Sequence, residues 1–117
     1  MERLSPVLSE FFMANKTLLN LSLEGCEINR SKFDILLQCL SMNQTLLTLK
    51  LSNNELDRDD MFRFKTVFDD KLKTLSLKHL DLSSNRIDDD GGCLLIQGVY
   101  YQDCIETLNL KNNIVKD

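Results

Sequence analysis

The stretch Leu77-Lys78-His79-Leu80-Asp81-Leu82-Ser83-Ser84-Asn85-Arg86-Ile87 decides the fold, because its spacing, L-x-x-L-x-L-x-x-(N/C)-x-L, recurs along the chain. Upstream it runs through Leu18, Leu21, Leu23, Cys26 and Ile28, and again through Leu46, Leu49, Leu51, Asn54 and Leu56. Downstream it runs through Ile105, Leu108, Leu110, Asn113 and Val115. The copies are 28, 31 and 28 residues apart, and a fixed period of this length marks stacked supersecondary units. Within each copy the L-x-L core alternates apolar and polar residues, as a short strand with one buried face requires. Asn54, Asn85 and Asn113 share one slot, and an amide side chain there can satisfy backbone groups of neighbouring copies where the strands bend away. Cys26 fills the same slot in the first copy, a structural place rather than a metal or redox one.

Between the strands the apolar period becomes helical. Phe33, Leu36, Leu37 and Leu40 fall at i, i+3, i+4 and i+7, with Ser31 as the expected N-cap. Met61, Phe64 and Phe68 continue the pattern after Asp57, Asp59 and Asp60, as do Leu95 and Val99 after Asp88, Asp89 and Asp90. Those aspartates suit helix starts, where the macrodipole favours negative charge, and they lack the spacing of a calcium loop. Leu4, Val7, Leu8, Phe11 and Phe12 make a similar stripe behind Ser5-Pro6. The expected order is therefore a helix, then strand and helix three times, then a last strand. One register has a competitor, since Leu72-x-x-Leu75-x-Leu77 partly matches the spacing. Starting the copy at Leu77 alone supplies Asn85 and Ile87, and it leaves residues 71–76 as a bulge.

Filled at twenty positions, this pattern resembles that of leucine-rich repeat proteins of the ribonuclease-inhibitor type. The resemblance implies an α/β fold, a right-handed solenoid forming a horseshoe segment, with parallel strands on the concave face and helices on the convex face. It also implies one domain over 1–117: a helix or partial repeat at 1–17, full repeats at 18–45, 46–76 and 77–104, and a truncated repeat at 105–117. In that family's pattern a glycine commonly follows four residues after the last template position, as Gly91 follows Ile87. Tyr100 and Tyr101 are expected on the outer surface or at the helix–strand junction.

The chain has 117 residues, 14 Lys and Arg against 18 Asp and Glu, and a net charge of −4. A basic footprint for nucleic acid is not expected, nor is a membrane partner, since no apolar run approaches the roughly 18 residues of a span. The amino-terminal sequence does not read as a signal peptide, so a cytoplasmic location is expected. Cys26, Cys39, Cys93 and Cys104 lack zinc-ligand spacing and are expected to be reduced and mostly buried thiols. Four N-x-S/T triplets, beginning at Asn15, Asn20, Asn29 and Asn43, are chance products of the composition. No cofactor is implied, since Gly91-Gly92 is not followed by the G-K-[ST] of a phosphate loop.

The polar positions of the strands form the expected binding wall: Asn20, Ser22 and Glu24; Thr48, Lys50 and Ser52; His79, Asp81 and Ser83; Thr107, Asn109 and Lys111. Parallel strands about 4.8 Å apart place them in three columns. His79, Asp81 and Ser83 carry the residue types of a hydrolase triad. Same-face neighbours on a strand lie about 6.6 Å apart, whereas a triad needs hydrogen bonds near 3 Å, so no catalytic residues are expected. The resemblance implies a protein–protein interaction module, because relatives such as ribonuclease inhibitors, tropomodulin-like actin cappers and the Ran GTPase-activating protein hold other proteins on their solenoid surfaces. A second reading is a regulator of a small GTPase, with Arg30, Arg58 or Arg86 as an inserted finger. The edge strand around Leu108 and Leu110 offers unpaired backbone to further repeats, a partner or a second copy.

Overall fold

The computed structural model describes residues 17–43, 45–69, 76–102 and 105–114. The expected first helix, residues 71–75 of the expected bulge, Cys104 and Val115 lie outside the described residues. Seven elements follow in order: β1 (Asn20–Ser22), α1 (Arg30–Met42), β2 (Thr48–Lys50), α2 (Arg58–Asp69), β3 (His79–Asp81), α3 (Asp89–Gln102) and β4 (Thr107–Asn109). The strands form one parallel sheet in the order β1-β2-β3-β4. Its register pairs Leu21 with Leu49, Leu49 with Leu80, and Leu80 with Leu108, so the central leucine of each copy stacks on the next. Backbone bonds continue the pairing past the strand ends, for example from Leu51 N–H to Asp81 C=O and from Leu82 N–H to Asn109 C=O.

The core lies between the sheet and the helices. Leu46, Leu49, Leu51, Leu77, Leu80 and Leu82 from the sheet side meet Phe33, Leu36, Leu40, Met61, Phe64, Phe68 and Leu95 from the helices, all buried. Each fully buried side chain of this size is worth roughly 1.5–3 kcal/mol against exposure. Phe64 sits at the centre, edge-on to Phe33 with centroids 5.8 Å apart and stacked on Phe68 at 5.0 Å. The helical stripes expected from spacing are thus the buried ones in α1 and α2, and in α3 Leu95 is buried and Val99 half-buried.

The helix starts differ from expectation at one point. The N-cap of α1 is Asn29 rather than Ser31, and its Oδ1 accepts from Lys32 N–H at 2.9 Å. Asp57 and Asp88 occupy the same slot in the next two copies. Asp57 Oδ1 accepts from the N–H groups of Asp59 and Asp60, and Asp88 Oδ1 accepts from Gly91 N–H. Asn29 wins over Ser31 because the last template residue, Ile28, must stay in the core, which fixes the helix start two residues later.

The helices do not approach one another equally. A Cβ added at Gly91 would lie 3.1 Å from Arg58 Cα, and one at Gly98 would lie 3.1 Å from Phe68 Cβ. Two glycines seven residues apart on one face of α3 therefore let it close onto α2. Among the three described cysteines the expectation of buried thiols holds for Cys39, whereas Cys26 and Cys93 are exposed. Cys26 lies in the turn after β1, and Cys93 sits two residues on from Gly91, which packs against α2, and so on another face of α3.

Candidate functional site

An asparagine ladder fixes the turns at which every strand leaves the sheet. Asn85 Oδ1 accepts from the N–H groups of Asn54 and Leu56, and its amide donates to Leu51, Leu82 and Ser83 carbonyls, all between 2.9 and 3.1 Å. Asn54 does the same one copy earlier, accepting from Cys26 and Ile28 N–H and donating to Leu23, Leu51 and Ser52 carbonyls. Asn113 accepts from Ile87 N–H and donates to Leu82 and Leu110 carbonyls. Each amide thereby ties its own turn to the preceding one. The ladder holds the polar strand positions in fixed columns.

Those columns occupy the face of the sheet turned away from the helices. The register aligns Asn20, Thr48, His79 and Thr107 in one column, and Ser22, Lys50, Asp81 and Asn109 in a second. Backbone bonds from Gly25 to Ser52, Asn53 to Ser83 and Ser84 to Lys111 bring Glu24, Ser52, Ser83 and Lys111 alongside as a third. Ser22, Glu24, Lys50, Thr107 and Lys111 are exposed and His79, Asp81, Ser83 and Asn109 half-buried, but Ser52 is buried and offers a partner little surface. Ser52 is closed in because its turn is clamped by Gly25 on one side and by the Asn54 amide on the other.

The polar groups of the wall are engaged mainly in holding its shape. His79 Nδ1 lies 2.7 Å from Thr107 Oγ1 across adjacent strands. Asp81 Oδ1 accepts from Ser83 N–H, and Asn109 Oδ1 accepts from Lys111 N–H in the equivalent turn. His79 thus bonds Thr107 and Asp81 bonds a backbone amide, contacts unlike those that link the members of a hydrolase triad. Beside the wall, Lys78 Nζ donates to Glu106 at 3.0 Å and holds the Glu106 carboxyl below the usual carboxylate range.

The three arginines weighed as fingers are bound into a second ladder, at the helix starts. Arg30 lies 3.2 Å from Asp59 and 3.7 Å from Asp57. Arg58 donates through Nε and Nη2 to Asp88, at 3.0 and 2.5 Å, and lies 3.6 Å from Asp90. Its hydrogen bonds hold the Asp88 carboxyl below the usual range, and Asp88 in turn raises the Arg58 guanidinium. Arg86 makes one long contact, 3.4 Å to Glu55.

Spacing alone did not reveal Asp60, which is buried in α2. Its Oδ2 accepts from Asp57 N–H at 3.0 Å, closing a reciprocal cap with Asp57, while burial pushes its carboxyl above the usual range. The signal was available: with the copies aligned, Asp60 falls in the slot of Gly91. Tyr100 is 84% exposed, on the outer surface. No helix among the described residues is long and apolar enough to cross a membrane.

Residues 73–94 match the family model of the leucine-rich repeat. No curated protein matches the sequence. The match covers the copy from Leu77 to Ile87, and with the parallel sheet and three helices around it supports a leucine-rich repeat protein.

Proposed function

We propose that this chain is a non-catalytic protein–protein interaction module, a right-handed solenoid whose sheet face is the concave wall that grips a partner protein. Leucine-rich repeats commonly serve protein–protein interaction, and the observation that carries the reading here is the registered polar wall. Its columns are held by backbone pairing and the asparagine ladder, so a partner would meet side chains mounted on a backbone that is already ordered. Charges of both signs stand on it, Glu24 and Asp81 beside Lys50 and Lys111, which suits a specific polar contact rather than a nucleic-acid backbone. The eleven strand positions other than buried Ser52 are the contact surface, with Lys50, His79, Asp81, Asn109 and Lys111 as its principal contacts. On this reading all 117 residues form one domain and act in the cytoplasm without a cofactor.

The test is affinity capture with the intact chain, identification of the captured protein and titration of the purified pair. Lys50→Glu and Asp81→Lys are expected to weaken binding about tenfold or more. Gln38→Lys on the helical side is expected to leave it unchanged. Binding that ignores both wall variants refutes the reading.

The second reading, a regulator of a small GTPase, draws on Arg86, the least engaged of the three arginines and an exposed one. Acceleration of GTP hydrolysis by a GTPase, lost in Arg86→Ala, would establish it. Hydrolysis of simple esters, lost in Ser83→Ala, would instead restore an enzymatic reading.

A further inference from the structure

Among the described residues two buried side-chain atoms have no hydrogen-bond partner, Asp60 Oδ1 and Arg63 Nη1, and both belong to α2. Their place follows from how the helices pack. Where α3 carries Gly91 and Gly98 and closes onto α2, the aligned slots of α2 carry Asp60 and Val67. The junction between α1 and α2 is accordingly looser, and it opens into a cleft of about 670 Å³ where the two helices begin. Glu27, Glu55, Asp57 and Asp60 border that cleft, four acids against one cation, Arg30.

We propose that this cleft is a binding site for a cationic side chain, a lysine or an arginine, presented by a partner protein. The volume falls within the range of small-ligand sites. Asp60 is 5% exposed, and a buried carboxylate oxygen without a donor costs free energy until one reaches it. An ammonium or guanidinium supplies both the donor and the opposite charge. The chain's own cations leave this demand unmet. Arg30 lines the cleft and lies 3.2 Å from Asp59 and 3.7 Å from Asp57, but it makes no hydrogen bond to Asp60 Oδ1. Arg86 reaches Glu55 only at 3.4 Å. Glu27 has no cationic partner among the described residues. The site stands at the turns that follow the first two strands, beyond the third column of the sheet, and does not depend on the wall being used.

The test is a carboxyl and amide NMR titration of the full chain with N-acetyl-arginine amide and N-acetyl-lysine amide, with N-acetyl-norleucine amide and calcium chloride as controls. Saturable shifts centred on Asp60 and Glu27 are expected with the two cationic amides and not with norleucine amide. Asp60→Asn is expected to weaken them about tenfold, and Glu27→Gln with Glu55→Gln to do so as well if Asp60→Asn fails to fold. Lys50→Glu is expected to leave them unchanged, which separates this site from the sheet wall. Shifts that do not saturate, or that persist with equal affinity in the variants, overturn the proposal. Saturation by calcium alone overturns it in favour of a metal site.

Discussion

Asn85→Ala is the most damaging single change expected at the residue scale. It removes five hydrogen bonds and leaves the N–H groups of Asn54 and Leu56 unpaired in a buried turn. With about 1–3 kcal/mol for each orphaned buried group, a loss on the order of 3 kcal/mol or more is expected in urea unfolding. Asn113→Ala should cost only about 1 kcal/mol, because Asn113 satisfies one amide of the preceding turn and is half exposed. Equal losses at the two sites would contradict the ladder. Asp60 carries the opposite sign. Its carboxyl titrates higher in the folded than in the unfolded chain, through burial, so the folded state binds that proton more tightly. The associated stability is fully present below the unfolded value, near 3.9, and is lost as pH rises through the folded one. Asp60→Asn keeps an acceptor for Asp57 N–H and no longer ionises. It is expected to exceed the parent in stability at pH 7, with the gap closing toward the acid end, as read by thermal unfolding at several pH values.

At the scale of elements, Gly98→Ala tests the close approach of α2 and α3. The added Cβ would meet Phe68 Cβ at 3.1 Å and Lys65 Cα at 3.2 Å. Overpacking of this kind costs about 1–3 kcal/mol, against at most about 1 kcal/mol of gained helix propensity, so net destabilisation is expected. A more stable variant would show that the helices can part freely. The caps offer a second test. Asp88 is held low by Arg58 and by Gly91 N–H, so its contribution is present above the unfolded pKa and fades as pH falls through the folded one. Arg58→Gln should move the Asp88 titration upward toward the ordinary range, followed by its carboxyl carbon signal. These elements also show what the sequence made legible. The leucine spacing determined strand, register and the asparagine slot, because each of those positions has one physical job and only a few residue types can do it. The start of α1 was less decided, since Asn29 and Ser31 can both cap. The arginine–aspartate ladder was hidden as well, because Arg30 and Arg58 are ordinary surface residues until stacking places the next copy's carboxylates within 3.7 Å of their guanidinium groups. Asp60 reads as one more acid at a helix start, and only packing reveals that it is buried.

For the whole molecule, stability should be graded along the stack rather than uniform. Each unit touches its neighbours through one strand pair, one rung of the asparagine ladder and one helix junction, so opening can begin at a margin without breaking the far side. The centre has two neighbours: β2 and β3 are paired on both edges, and α2 buries Met61, Phe64 and Phe68 between α1 and α3. At one margin, β1 is exposed or half-buried throughout, and α1 meets α2 across the looser junction. At the other, α3 leaves Ile96 and Tyr100 exposed, and β4 is half covered. Native-state hydrogen exchange should therefore rank amides of β2, β3 and α2 as the most protected, with α1 and α3 exchanging through smaller openings of lower free energy. A destabilising change such as Asn85→Ala lies at the centre and should lower protection on both sides of it. Asn113→Ala should act chiefly on β4 and α3. One common opening free energy for all seven elements would mean that the chain behaves as a single cooperative core, and the unit-by-unit account of its stability would then fail.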